Sequence, residues 1–177
     1  DTIKLFADIK LDETISFNKN LTIDLNGHDI TYATNKTAFE FKGNGEEKTY
    51  NISFRNSSAE ESVITGRIRE LAATSSYNIT ICEKVKLTAD YGVFIRGNGN
   101  DGSAVLNVYG SIEVPSPYEY GAIQGNGSEG YGGTIINIYD GASLKTTDSS
   151  VIYHPQAGTL NIYGGTIIGK EAITMKV

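Results

Sequence analysis

One short phrase, apolar–Asn–apolar, returns along the whole chain. It occurs as Tyr50-Asn51-Ile52, Tyr77-Asn78-Ile79, Leu106-Asn107-Val108, Ile136-Asn137-Ile138 and Leu160-Asn161-Ile162, and Leu21-Thr22-Ile23 fits the same frame. From Thr22 the intervals are 29, 27, 29, 30 and 24 residues. A unit of this length cannot bury its apolar side alone and does so by stacking on its neighbours.

A second series keeps step with the first: Phe41, Ile68, Ile95, Ile123, Ile152 and Ile173. Gly-Asn-Gly follows three of them, at Gly43–Gly45, Gly97–Gly99 and Gly125–Gly127. Such triplets suit corners, because Gly and Asn tolerate positive φ. A third short apolar run lies between the two, as in Val63-Ile64, Val85-Lys86-Leu87, Ile112-Glu113-Val114 and Ile167-Ile168. Three short strands and three corners per coil predict an all-β fold, a parallel β-helix of six or seven coils. The rule for parallel crossovers makes it right-handed.

The 177 residues read as a single β-helix domain over 1–177, with 1–19 as an irregular first coil and 20–177 as regular coils. Thr174-Met175-Lys176-Val177 reads as a strand, so the expectation is a piece of a larger multidomain protein with more coils. The net charge of −6 argues against nucleic acid as a partner. No run approaches the ~20 apolar residues of a membrane span, so no membrane insertion is expected. Cys82 is the single cysteine and there are two histidines, so neither a metal site nor a cofactor is expected. Nothing in the pattern predicts oligomer contacts, and a monomer is the simplest expectation.

Strand side chains alternate, so the repeat assigns faces. The inward pairs are Leu21/Ile23, Tyr50/Ile52, Tyr77/Ile79, Leu106/Val108, Ile136/Ile138 and Leu160/Ile162. One outward column is then Thr22, Asn51, Asn78, Asn107, Asn137 and Asn161, whose amides can bond along the axis. Six N-x-S/T triplets begin at Asn20, Asn35, Asn51, Asn56, Asn78 and Asn126, and two of them fall in predicted strands, where a glycan acceptor is not expected. A second outward column reads Asp24, Ser53, Thr80, Tyr109, Tyr139 and Tyr163. Its three tyrosines either shield the backbone or form a flat aromatic platform for a ligand. Tyr118, Tyr120 and Tyr131 would enlarge that aromatic surface.

A third outward column reads Lys42, Arg69, Arg96, Gln124, Tyr153 and Thr174. Its cations are either neutralised by Glu40, Glu70 and Glu46/Glu47 or form a basic strip for an acidic or sialylated sugar. Lys42, Arg69, Arg96 and Tyr153 are therefore the second choice of ligand-binding residues, after Tyr109, Tyr139 and Tyr163.

No catalytic residues emerge. A glycoside hydrolase needs two carboxyl groups flanking the scissile bond. Asp24 is followed in its column by Ser53 and Thr80, and Asp90, Asp101, Asp140 and Asp148 fall near corners at unlike phases. His28 and His154 read as corner residues, and no nucleophile-elbow motif is present.

The segments Asn20–Thr31 (NLTIDLNGHDIT), Gly121–Gly127 (GAIQGNG) and Val151–Gly169 (VIYHPQAGTLNIYGGTIIG) together resemble pectate-lyase-like right-handed β-helix domains of large surface proteins of Gram-positive gut bacteria. These motifs specify coils and corners rather than chemistry. The resemblance implies a secreted or cell-wall-attached parent and an adhesive role. The catalytic motifs of lyase and polygalacturonase relatives have no match, so no catalytic residue carries over. The leading expectation is a non-catalytic binding or adhesion module. Its partner would be a host glycan such as mucin, a polysaccharide, or a host surface or secreted protein such as an immunoglobulin. The alternatives are a polysaccharide lyase or glycoside hydrolase fragment, and a passive structural stalk.

Overall fold

Short runs in which every second residue is apolar favour strands with one face in a core and one outside. The computed structural model describes residues 1–43, 45–125, 131–154 and 157–175, and these runs form 21 strands. Coil one holds β1 (Thr2–Lys4), β2 (Ile9–Lys10) and β3 (Ile15–Ser16). Coil two holds β4 (Leu21–Asp24), β5 (Ile30–Thr31) and β6 (Thr37–Lys42). Coil three holds β7 (Thr49–Arg55), β8 (Ser62–Thr65) and β9 (Arg67–Leu71). Coil four holds β10 (Ser76–Ile81), β11 (Val85–Thr88) and β12 (Val93–Arg96). Coil five holds β13 (Ala104–Val108), β14 (Ser111–Val114) and β15 (Ile123–Gly125). Coil six holds β16 (Thr134–Ile138), β17 (Ser143–Thr146) and β18 (Ser150–His154). Coil seven holds β19 (Gly158–Ile162), β20 (Thr166–Ile168) and β21 (Glu171–Met175).

Each strand pairs in parallel with its counterpart one coil away, giving three seven-stranded sheets. The fold is the expected right-handed parallel β-helix with three strands per coil. Residues 1–19 supply the first strand of every sheet, with Thr2 beside Thr22 and Ile9 beside Ile30.

The core is one continuous stack. Its N-terminal half is aromatic: Phe39 meets Phe54 at 4.9 Å and Tyr50 meets Tyr77 at 5.6 Å between centroids. Further along it is aliphatic, with Ile79, Leu106, Val108, Ile136 and Ile138 fully buried. The inward pairs therefore face inward as expected. Ile162 is 47% exposed because coil seven carries no coil above it in the described chain.

The pairing of those inward residues departs from the motif. Leu21 lies beside Ile52, but Ile23 lies beside Phe54 rather than Ile52. Likewise Ile79 lies beside Leu106, and Ile81 rather than Ile79 beside Val108. The expected columns thus slip by two residues at two places. A slip of two preserves which face is buried while changing every neighbour.

The same slip corrects the cation column. Arg69 stands between Glu40 and Phe94, while Lys42 and Arg96 both stand beside Leu71. Alternation along β9, and not the slip, puts Glu70 inside, next to the outward Arg69. Glu70 is fully buried, stacked between Phe41 and Ile95, and does not balance surface cations. Two further placements differ from expectation. Asp24 keeps its outward strand position but is buried there by Arg55 and Ser57, and His154 is a buried strand residue at the end of β18 rather than a corner.

At the corner after β4, Asn26 and Gly27 have φ of 50° and 83°, and the His28 amide donates to the Leu25 carbonyl. Gly97 marks a closer approach: a Cβ there would lie 2.1 Å from the Gly132 carbonyl oxygen. Asn44, Asn126 and Gly127 of the other triplets lie outside the described residues.

Candidate functional site

The outward face of the first sheet carries two coupled rows. Asn78 Nδ2 donates to Asn51 Oδ1 at 3.2 Å, and Asn107 to Asn78 at 2.7 Å. Asn137 donates to Asn107 at 2.9 Å, and Asn161 to Asn137 at 2.9 Å. Asn20 Oδ1 accepts from the Asn51 backbone amide at the lower end of the row. Asn78, Asn107 and Asn137 each both donate and accept, so the middle of the row is satisfied within itself. The Asn78–Asn107 bond is diagonal, since Asn107 pairs with Thr80 in the backbone ladder. Thr22 stands beside Ser53 and lies outside this row.

Beside it the expected tyrosines come together. Tyr109 and Tyr139 stack at 4.1 Å between centroids with planes 3° apart, and Tyr139 and Tyr163 at 5.2 Å and 20°. The Tyr139 hydroxyl reaches Asn107 Oδ1 at 3.5 Å, tying the two rows. Burial first, and then the neighbouring Tyr139, raise the Tyr109 phenol above its usual value.

This geometry is a stack and not a flat platform. Ring faces close upon one another along the solenoid axis, so the row shows solvent its edges and hydroxyls. The outermost ring, Tyr163, is 65% exposed. The outer tyrosines do not extend the stack. Tyr118 packs against the core with its hydroxyl 3.0 Å from Thr34 Oγ1. Tyr120 meets Tyr91 edge-on, and Tyr131 lies under Arg96.

The cations of the second choice separate by role. Glu40 holds both Lys42, at 2.7 Å, and Arg69, at 3.1 Å. Arg96 stands over the Tyr131 ring at 4.5 Å and lines an open groove of about 750 Å³. Tyr153 lines a different groove of about 480 Å³, with Glu119, Asp148 and Glu171. That second groove gathers Glu119 and Asp148, from connections, with Glu171 at the start of β21.

The buried acids differ sharply. Burial pushes the Asp24 carboxyl up, but its bonds from Arg55 and from the Ser57 amide more than compensate and hold it below the usual range. Asp90 is gripped by both Nε and Nη2 of Arg67. Glu70 has no such partner among the described residues. Burial pushes its carboxyl well above the usual range, against a smaller pull from the Val105 amide.

Comparison with protein-family models, with curated proteins and with solved structures found no match to the chain.

Proposed function

We propose that this β-helix is a non-catalytic binding module of a secreted or cell-wall-attached, pectate-lyase-like surface protein, with the Tyr109/Tyr139/Tyr163 row as its contact area. The partner is a host glycan or a host surface or secreted protein. The carrying observation is the three-ring stack on the outer face, which the core does not use. A row of ring edges and hydroxyls suits a polar ligand that packs against the edges and bonds repeatedly.

The test starts from any ligand captured on a glycan array or a host-protein pull-down. Removing a true hot-spot aromatic costs ~2 kcal/mol or more, roughly 30-fold in affinity. Tyr139→Ala and Tyr163→Ala should each weaken binding to that extent, and Lys42→Ala should matter less. Loss of melting temperature without loss of binding would make the row structural and favour the stalk reading. The enzyme alternative would use the Glu119/Asp148/Glu171 groove. Release of reducing or unsaturated sugars from polysaccharide would overturn the binding-module reading.

A further inference from the structure

We propose that the 750 Å³ groove beside Arg96 is a second binding site, and that it takes a carboxylate-bearing sugar. The groove is lined by the strand residues Thr49, Ser76 and Arg96 and by described residues of the connections from the third sheet to the first, Tyr131 among them. Its size lies within the usual range for small-molecule sites.

Arg96 is the reason to expect an acid. The other three arginines each hold a carboxylate: Arg55 holds Asp24, Arg67 holds Asp90 and Arg69 holds Glu40. Arg96 has no ion pair or hydrogen bond among the described residues, and its Nε is buried without an acceptor. Arg69 Nε is buried without an acceptor in the same way, so the missing ion pair is what sets Arg96 apart, and a guanidinium Nη pair matches a carboxylate in two parallel bonds. The Tyr131 ring, 4.5 Å from Arg96 Cζ, supports the guanidinium from one side. The nearby acidic side chain, Glu47, is exposed on the rim, and Lys48 is paired with Glu46 at 2.7 Å.

The rest of the lining is the reason to expect a sugar. Thr49, Thr74, Ser76 and Asn100 offer hydroxyls and an amide, Asn98 is engaged with the Ala73 carbonyl and the Asn100 backbone amide, and the aliphatic side chains are only the methyls of Ala72 and Ala73. A peptide would find no pocket for an apolar side chain here. A polyhydroxylated ring finds donors and acceptors around the anchor.

Two sources supply such a carboxylate: a terminal sialic acid and an internal uronic acid. Calorimetric titration of the whole chain with 3′-sialyllactose, a hyaluronan tetrasaccharide and neutral lactose separates them. At least one acidic sugar should bind, with lactose at least tenfold weaker, about 1.4 kcal/mol. Binding of the first alone assigns a sialate site, and binding of the second a uronate site. Arg96→Gln should weaken that binding at least tenfold. Thr74→Glu places a like charge at an exposed groove position and should do the same, so the test survives if Arg96→Gln fails to fold. Tyr139→Ala should leave it unchanged, which keeps this outcome separate from that of the tyrosine row. Failure of both acidic sugars at millimolar concentration, equal binding of lactose, tighter binding of tetraglutamate, or indifference to Thr74→Glu would overturn the proposal.

Discussion

Ile79 and Ile138 are both fully buried on the first sheet, four and six coils along the solenoid. Truncation of a residue this enclosed leaves a cavity and commonly costs about 2–5 kcal/mol. For a chain of this size each kcal/mol corresponds to roughly 2–4 °C. Ile79→Ala and Ile138→Ala should therefore each lower the melting temperature by about 4 °C or more, and unchanged melting would invert the assignment of faces. Glu70 gives a prediction of pH dependence. Its folded carboxyl holds its proton more tightly than the unfolded one. As pH rises past the usual carboxyl range, the unfolded chain sheds that proton and the folded chain keeps it. Its contribution to stability then falls by about 1.4 kcal/mol per pH unit until the folded group itself titrates. Asp24 works in the opposite sense, losing stability as pH falls, because its folded value is depressed. Glu70→Gln should flatten the decline above the carboxyl range. A denaturation series in which both proteins show the same slope would mean that Glu70 is hydrated in solution.

Strand faces were legible in the sequence because they depend only on alternation. Strand partners were not, because several registers two residues apart bury the same side chains. The Asn and Tyr rows were readable where the repeat is regular: Asn107 pairs with Asn137, and Asn137 with Asn161. The cation column failed at β9, where Arg69 pairs with Glu40 and Phe94, two residues out of the expected register. The groove beside Arg96 was invisible for another reason. It is made largely by connections, and connection paths follow close backbone approaches rather than periodicity. Gly97 is such an approach: its amide donates to Thr134 Oγ1 at 3.0 Å, and an added Cβ would strike the Gly132 carbonyl. Backbone cannot yield as a flexible side chain does. Gly97→Ala should cost about 1–3 kcal/mol, as overpacking does. A thermal melt within 1 °C of the wild type would show that this corner relaxes freely.

Across the whole molecule, strands of coils two to six pair on both edges, and those of coils one and seven on one edge. The end coils are also the exposed ones, from Ile3 and Ile9 at one end to Ile162, Ile168 and Met175 at the other. Solenoid stability is close to a sum over coils and their interfaces, so openings should start at the ends. In hydrogen exchange followed by mass spectrometry, amides of β7, β10 and β13 should be slowest and those of β1–β3 and β19–β21 fastest. Equal protection in every coil would mean instead that the chain opens as one unit. This gradient bears on both binding readings. Tyr163 directly follows β19 in the least protected coil, held to Tyr139 by stacking at 5.2 Å. The Arg96 groove rests on the middle coils, which pair on both edges. A ligand on the tyrosine row should thus slow exchange in β19 and its neighbour β16. An acidic sugar in the groove should leave coil seven as it was and slow only the segments around Ser76 and Asn98. Slowing of β19 by 3′-sialyllactose or the hyaluronan tetrasaccharide would move the acidic-sugar site to the tyrosine row.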